Sequence, residues 1–224
     1  MITMVIFGPL VVIFGFTLDR KLQLSSEYFW SKFWTKAYPF LFGLIANGLI
    51  TQCTKLFIGR LRPYFIDVCR PVSTINGSQY DFYAMTDCSM LHNVFITDYE
   101  CRLSNKSEKL LNMVEQTQMS FFSAHTTLIT YSIIYICFLI NDRINISNLY
   151  SFKILLLYMS LGIFAIWIGY TRIDDHWHHW EDVLVGYLVG VVVAVGIRLI
   201  FNNYRRYEAC AQTETTNIDQ DDNL

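Results

Sequence analysis

Five long apolar runs alternate with shorter polar stretches along the chain. The runs cover roughly residues 2–17, 38–58, 121–140, 154–170 and 183–201. A membrane core of ~30 Å is crossed by a helix of about 17–25 apolar residues, so all five fit, the first at the short end. They lack the alternating pattern of a barrel strand, and a helix bonds its own backbone groups inside lipid. The pattern therefore predicts an all-α, polytopic membrane bundle of about five transmembrane helices.

The composition agrees with a membrane protein. Of the 224 residues, 53% are hydrophobic and only 16% are charged. Mean hydropathy is +0.32, which is too apolar for an ordinary soluble domain. The formal net charge of −2 leaves no dense excess of Lys and Arg, so a nucleic-acid partner is excluded. Gly186 and Gly190 form a G-x-x-x-G pair in the last run, a spacing that favours close approach of two helices.

The polar stretches divide the chain into a membrane domain and a tail. Residues 1–203 contain the five runs and one long connection, 59–120, which we expect to be extracellular or luminal. The aromatic stretch 18–37 has the composition of an interfacial loop. The tail, 204–224, is acidic and rich in Thr, which predicts a disordered cytoplasmic segment.

The long connection carries three of the six cysteines and two glycosylation sequons. The cysteines are Cys69, Cys88 and Cys101, and the sequons begin at Asn76 and Asn105. Cysteines and sequons together in one polar loop indicate an oxidising, glycosylating compartment. We expect glycans on both asparagines, whereas the pairing of the three cysteines stays open at this point.

The distribution of cations agrees with this orientation once three of them are set aside. Because consecutive connections alternate sides, nine of the 17 Lys and Arg residues fall on the cytoplasmic side and eight on the outer side. Lys55, Arg62 and Arg172 stand in the motifs described next, and without them the outer count is five. A third sequon, at Asn145, then lies in a cytoplasmic loop and is expected to stay unmodified.

The first motif is "KLFIGRLRP" at the end of the second run. Lys55 and Arg62 are seven residues apart, so both would share one face if the helix continued that far. Pro63 disfavours a helical conformation at Arg62 and would turn its side chain away from the helix axis. The alternative is a pair of cations that reach to the membrane surface without further function.

The second motif is "SFFSAHTT", with Ser123 and His125 at the start of the third run. A histidine at such a place can be a plain interfacial residue or a buried one with a satisfied hydrogen bond. Ionisable residues at a membrane are costly, which makes His125 a candidate functional residue.

The third motif is "TRIDDHWHHWEDV". Asp182 follows His178 by four residues, so at a helix start the carboxylate can accept from one imidazole nitrogen and leave the other outward. Arg172, six residues before His178, offers a rigid fork for a tetrahedral oxyanion. A polar loop with a helix cap explains neither the arginine nor the pairing.

A metal site in the third motif is the alternative. His176, His179 and the nearby carboxylates could ligate zinc, but no H-E-x-x-H pattern or cysteine pair accompanies them. The motif cations would also repel a metal ion. We therefore predict neither a metal nor a cofactor.

The ordered set K-x6-R-P, S-x-H and T-R-x5-H-x3-D resembles the type 2 phosphatidic acid phosphatase superfamily, and most closely its lipid phosphate phosphatase branch. The resemblance covers about residues 2–201. Two departures matter: Ala124 stands where the family has glycine, which adds a methyl group near the phosphate cradle, and the usual first of six spans is not seen. We interpret the missing span as the result of a truncated isoform or start site. Thr171 in place of serine is a mild change.

The resemblance implies a metal-independent phosphatase with a phosphohistidine intermediate. His178 would be the nucleophile, Asp182 its orienting carboxylate and His125 the acid for the leaving group. The implied phosphate-binding residues are Lys55, Arg62, Ser123, Ala124 (through its backbone) and Arg172. Expected substrates are phosphatidate, lysophosphatidate, sphingosine 1-phosphate and ceramide 1-phosphate.

The resemblance also bears on location and on competing functions. It implies a plasma-membrane or endomembrane protein whose catalytic face is extracellular or luminal. Its partners are the bilayer and the lipid phosphates, with a homo-oligomer left open. A membrane sugar-phosphate phosphatase and a catalytically weak lipid-binding member of the superfamily are the alternatives. A soluble vanadium haloperoxidase shares this kind of oxyanion site, but five apolar runs count against it.

Overall fold

The computed structural model describes residues 2–18, 26–75, 78–81, 99–102, 108–142 and 148–221. Seven helices lie in this part of the chain: α1 Ile2–Leu18, α2 Ser26–Ile58, α3 Phe65–Cys69, α4 Glu108–Thr117, α5 Ala124–Asn141, α6 Asn148–Asp174 and α7 Trp180–Asp221. Three short strands, β1 Pro71–Ile75, β2 Ser78–Asp81 and β3 Glu100–Cys101, accompany them.

Four helices of the described ranges are long and apolar enough to cross a membrane. The segments concerned are Phe29–Ile58, Ala124–Asn141, Phe152–Asp174 and Trp180–Tyr207. Helix α1, with 17 residues, stands at the lower end of the length that spans a bilayer. The predicted all-α membrane bundle is confirmed, and the chain is a multi-pass membrane protein.

Helix α2 begins earlier than the hydropathy pattern suggested. The stretch 18–37 was expected to be an interfacial loop, yet it is helical from Ser26 onward. Phe14 of α1 packs edge-on against two rings of α2, Phe29 at 5.6 Å and Phe33 at 6.3 Å between centroids. Because positions four residues apart face the same way on a helix, one aromatic residue of α1 can hold both.

Helix α7 also extends further than the sequence predicted. The tail 204–224 was expected to be disordered, but α7 continues to Asp221. Adding a residue to an existing helix avoids the cost of nucleation, and the Ala, Glu and Gln residues of the tail are adequate helix formers. The prediction of disorder overlooked that the tail continues an established helix.

One of two structural units of the chain comprises Met1–Ile50, Ala124–Ile168 and Gly186–Leu224. Its core gathers buried residues of four helices: Ile13, Phe40, Tyr131, Tyr135, Leu139, Ala194 and Ile197. Helix α7 lies close to α5 at Gly190, where a Cβ would stand 2.6 Å from the carbonyl oxygen of Thr127 and 2.8 Å from Cβ of Thr130. This close approach agrees with the reading of the G-x-x-x-G pair as a helix contact.

The other unit comprises Thr51–Ser123 and Gly169–Val185. Its antiparallel sheet has the order β2-β1-β3, with Val72 opposite Asp81 on one side and Glu100 on the other. A disulfide joins Cys69 at the end of α3 to Cys101 in β3. The sheet was not predicted, because strands of two to five residues are too short to leave a periodic signal.

Several residues of the sequence analysis lie outside the described ranges. They are Asn76, Cys88, Asn105 and Asn145. The glycosylation sites therefore stay predictions. The pairing that the sequence left open is settled for two of the three cysteines.

Candidate active site

Most of the predicted site residues belong to the second unit. These are Lys55, Arg62, Ser123, Arg172, His178 and Asp182. Ala124 and His125 instead open α5 in the first unit. The catalytic and phosphate-binding roles of all eight residues stay predictions.

The end of α2 separates the two cations of the first motif. The helix ends at Ile58, and Gly59 has a φ of +60° with its N–H donated to the carbonyl oxygen of Lys55 at 3.1 Å. Only glycine adopts this left-handed conformation without strain. The helix therefore does not continue as far as Arg62, and the condition under which Lys55 and Arg62 would share one helical face is not met.

Lys55 is held in a buried position. Its residue is 8% exposed, and it forms no ion pair with any described residue. A buried ammonium group without a carboxylate partner is costly, so the position favours an anionic ligand.

Arg62 is held by aromatic rings and backbone contacts. Its guanidinium lies 5.1 Å from the ring centroid of Trp177 and 5.9 Å from that of Tyr64, and it donates to the Tyr64 hydroxyl at 3.1 Å. Its Nε is buried and has no hydrogen-bond partner among the described residues. The stacking fixes the plane of the fork and leaves one buried donor for a ligand.

Backbone hydrogen bonds tie the three motifs together. The Arg62 N–H donates to the Thr117 carbonyl at 2.7 Å, and the Ser120 N–H donates to the Arg60 carbonyl at 2.9 Å. Ser123 donates its N–H to the carbonyl of Asp182 at 3.1 Å. The first motif is thereby fixed beside the second, and the second beside the third.

Arg172 lies in the last turn of α6 and organises the third motif. Its carbonyl oxygen accepts from the N–H groups of Trp177 at 3.1 Å and His178 at 3.2 Å, which folds the connection to α7 into a tight turn. Its side chain donates to Asp175 at 3.0 Å. An anion could bind this guanidinium only in competition with Asp175.

The three histidines of the third motif have different surroundings. His178 is buried, with 3% exposure, whereas His176 is exposed and has a φ of +57°. His179 places Nε2 3.2 Å from the carbonyl oxygen of Leu61, a contact that serves the local structure. Burial and placement thus distinguish His178 from its neighbours.

Asp182 is a fully buried carboxylate that several groups approach. It accepts from Arg60 at 2.8 Å, from the Ser120 hydroxyl at 2.5 Å and from the His179 N–H at 3.2 Å. The last contact is half of a capping box at the start of α7, since an acidic side chain in the first turn reaches back to the N-cap N–H.

The contact between Asp182 and His178 differs from the predicted direct hydrogen bond. Nδ1 of His178 is 3.8 Å from Oδ2 of Asp182, too far for a hydrogen bond. The hydroxyl of Ser120 lies 3.4 Å from Nδ1 and 2.5 Å from Oδ2, so it links the two side chains. The sequence analysis named these two side chains as a pair but missed the serine between them.

Two site residues were missed by the sequence analysis. Ser120 is fully buried against Asp182, and Arg60 bonds both Asp182 at 2.8 Å and Glu181 at 2.5 Å. Signals existed for both, since Arg60 stands inside the first motif and Ser120 opens "SFFSAHTT". Neither signal revealed a partner, because Asp182 is 62 residues from Ser120 and 122 residues from Arg60.

Burial lowers the pKa of His178 below its ordinary value. The nearby carboxylate of Asp182 opposes this shift, and the positive charges of Arg62 and Lys55 add to it. The lowered pKa favours the neutral imidazole, which keeps a lone pair. The two cations are close enough to act on the same ring that the carboxylate orients.

No group of three or more His, Cys, Asp or Glu side chains converges as a metal-binding set within the described ranges. In the third motif, Asp182 is engaged with Arg60 and Ser120, and His179 with the carbonyl oxygen of Leu61. The positive charges of Arg62 and Lys55, which act on His178, suit an oxyanion.

The sequence profile of the PAP2 superfamily matches residues 36–206. The chain belongs to the PAP2 superfamily. The match spans all three motifs, so the resemblance drawn from those motifs is confirmed. No solved structure gives a significant match to this PAP2 protein.

Individual relatives of this PAP2 protein are named as lipid phosphatases. Phospholipid phosphatase 2 of Homo sapiens is 34% identical over 159 residues, 69% of this chain and 47% of the relative. Phospholipid phosphatase 1 of Rattus norvegicus is 26% identical over 203 residues, 91% of this chain and 64% of the relative.

A putative phosphatidate phosphatase of Drosophila melanogaster is 28% identical over 165 residues, 74% of this chain and 40% of the relative. The chain thus spans about half of the length of the curated relatives it matches. These relatives support the lipid phosphate phosphatase branch.

Proposed function

We propose that this PAP2 protein is an integral-membrane lipid phosphate phosphatase that acts through a phosphohistidine intermediate without a metal. The observation that carries the proposal is the burial of the His178 imidazole, whose pKa is held below its ordinary value by that burial and by the nearby cations Arg62 and Lys55. A neutral imidazole is a nucleophile, and cations around it bind and stabilise a phosphoryl group. The names of the relatives agree with this chemistry.

The nitrogen that attacks is Nε2 of His178. Nδ1 is occupied, because it lies 3.4 Å from the hydroxyl of Ser120 on the side of Asp182. The lone pair of Nε2 forms a bond to phosphorus while the bond from phosphorus to the lipid oxygen breaks. Asp182 compensates the positive charge that develops on the ring, through the serine hydroxyl.

The phosphoryl oxygens are bound by the cationic residues of the three motifs. Lys55 contributes a buried point charge and Arg62 a buried Nε donor. Arg172 contributes a second guanidinium after release from Asp175. Ser123 and the backbone near Ala124 complete the cradle. Negative charge spreads over the equatorial oxygens in the transition state, so these donors lower the barrier without a metal.

His125 is assigned to proton transfer. It donates a proton to the departing lipid alkoxide and then accepts one from the water that attacks the phosphohistidine. The second step releases inorganic phosphate and restores His178. The assignment rests on the S-x-H motif at the start of α5.

Lipid phosphates on the extracellular or luminal leaflet are the proposed substrates. Six of the site residues, Lys55, Arg62, Ser123, Arg172, His178 and Asp182, share a unit with the disulfide between Cys69 and Cys101, and disulfides form in oxidising compartments. The motifs stand at the ends of membrane-spanning helices, where a headgroup can reach them. Phosphatidate, lysophosphatidate, sphingosine 1-phosphate and ceramide 1-phosphate all present the required phosphomonoester.

Phosphate release by the purified protein in detergent micelles tests the proposal. We expect release from phosphatidate that persists in EDTA and is inhibited by vanadate, which imitates the trigonal-bipyramidal phosphoryl group. Acid-labile phosphate should be trapped on the protein and be absent in His178→Ala. Strict magnesium dependence would contradict the mechanism. Faster release from a soluble sugar phosphate than from phosphatidate would favour a sugar-phosphate phosphatase.

A further inference from the structure

A pocket lies in the first unit, at the helix ends that do not carry the motifs. It is formed by the first half of α2, the last two turns of α5 with Asp142 just beyond them, and the middle of α7. Three cations line it, Lys36, Arg198 and Arg205, together with one carboxylate, Asp142. The proposed phosphatase chemistry uses none of these residues.

Cations outnumber carboxylates in the lining of the pocket. Arg198 makes two hydrogen bonds to Asp142, at 2.6 and 3.1 Å, and lies 4.5 Å from the ring centroid of Phe138. Arg205 donates to the side-chain oxygen of Asn202 at 2.6 Å and pairs with no carboxylate of the described residues. The three cations and one carboxylate give the pocket lining a net charge of +2.

The floor of the pocket is apolar and belongs to the core of the unit. Leu139 and Ile197 are 6% and 5% exposed, and both are members of the core cluster. Tyr135 presents its ring there, while its hydroxyl donates to the carbonyl of Lys36 at 2.6 Å. A free phosphate ion would find no partner on this floor. A ligand with an anionic phosphate beside apolar carbons fits both parts.

We propose that this pocket binds the headgroup of an anionic phospholipid, as a binding site separate from the phosphatase motifs. The phosphate lies between Arg205, Lys36 and the Arg198 pair, and the glycerol and first acyl carbons lie on the apolar floor. The membrane orientation predicted from the sequence places these helix ends at the cytoplasmic leaflet, where anionic lipids are concentrated. The inference does not depend on the proposed phosphatase activity.

Lipid enrichment around the full-length protein in nanodiscs tests the inference. Fluorescent phosphatidylserine in a phosphatidylcholine background serves as the probe, because its phosphodiester is not a phosphomonoester substrate. Arg205→Gln should weaken phosphatidylserine binding about fivefold, the effect of ~1 kcal/mol for one cation at an anionic surface. The matched control is Arg206→Gln, since Arg206 is exposed, adjacent and not part of the pocket lining. It should change binding less than twofold.

Three outcomes would overturn the inference. Equal losses in Arg205→Gln and Arg206→Gln would indicate diffuse surface electrostatics and no pocket. Equal binding of phosphatidylcholine and phosphatidylserine would remove the need for an anion. Displacement of the lipid by millimolar inorganic phosphate would indicate a phosphate-ion site and contradict the role of the apolar floor.

Discussion

Removal of the Ser120 hydroxyl is the sharpest test of how Asp182 acts on His178. In Ser120→Ala, Asp182 keeps its contacts with Arg60 at 2.8 Å and the His179 N–H at 3.2 Å, so the carboxylate stays satisfied and the unit should fold. The loss is the link across the 3.8 Å gap between Nδ1 and Oδ2. The imidazolium-like ring of the transition state then loses its compensation.

The size of the effect follows from the type of hydrogen bond. A hydrogen bond to a charged group contributes about 1.5–3 kcal/mol. If the contribution is expressed only in the transition state, kcat should fall about 10- to 150-fold, since ~1.36 kcal/mol corresponds to tenfold. KM should change little, because Ser120 bonds the carboxylate of Asp182. Steady-state kinetics with phosphatidate in micelles, measured across pH, separates the two parameters.

The control is another buried hydroxyl of the same segment. Thr117 is fully buried, and its hydroxyl donates to the carbonyl of Val114. Thr117→Val removes this hydroxyl without touching Asp182 and should leave kcat within about twofold. Ser120→Thr retains a hydroxyl and should recover part of the rate. A wild-type kcat in Ser120→Ala would show that the imidazole closes the gap itself, and the serine link would be refuted.

Three further predictions concern the same reaction. His178→Ala should abolish hydrolysis and acid-labile phosphate incorporation. His179→Ala, which loses a contact to a backbone carbonyl, should mainly lower the yield of folded protein. An inactive His179→Ala beside an active His178→Ala would mean that the nucleophile was assigned to the wrong histidine. Because the pKa of His178 is lowered and its neutral form attacks, the acid limb of kcat/KM should lie below the ordinary histidine value of ~6.5, and a limb above it would contradict the burial argument. Ala124→Gly should raise turnover if the methyl group crowds the phosphate, and an unchanged rate would show that it does not.

The spans and the motif residues could be predicted because both have local signals. Apolar length alone marks a membrane helix, and the charged residues at the ends of the spans stand out against it. The ends of the helices were harder to predict from the sequence. Packing of Phe14 against Phe29 and Phe33 extends α2, and no count of apolar residues contains that information.

The connections inside the site could not be predicted, because they depend on residues far apart in sequence. Spacing four along a helix suggested that His178 and Asp182 bond directly. The start of α7 instead directs Asp182 to the His179 N–H and to Arg60. The hydroxyl of Ser120 therefore stands between Asp182 and His178. Likewise, the left-handed Gly59 separates Lys55 from Arg62 where a continued helix would have aligned them.

Arg172 offers a prediction with a gain of function. Its guanidinium donates to Asp175 at 3.0 Å, and the Asp175 side chain is 50% exposed. A phosphate must break this pair before it can bind the arginine. Exposed pairs of this kind contribute about 0.2–1 kcal/mol, so Asp175→Asn should lower KM by roughly 1.4- to 5-fold. The rate kcat should change little, since the transition state already has Arg172 on the phosphate.

Charge removal one residue earlier provides the comparison. Asp174 is exposed and contacts the Tyr170 hydroxyl, at 3.5 Å, rather than Arg172. Asp174→Asn removes the same charge but not the competitor, so its KM should stay near the wild-type value. Because salt screens exposed charges, the advantage of Asp175→Asn should shrink as ionic strength rises. A KM that rises in Asp175→Asn would mean that Asp175 holds Arg172 in its binding position, and the competition argument would then be wrong.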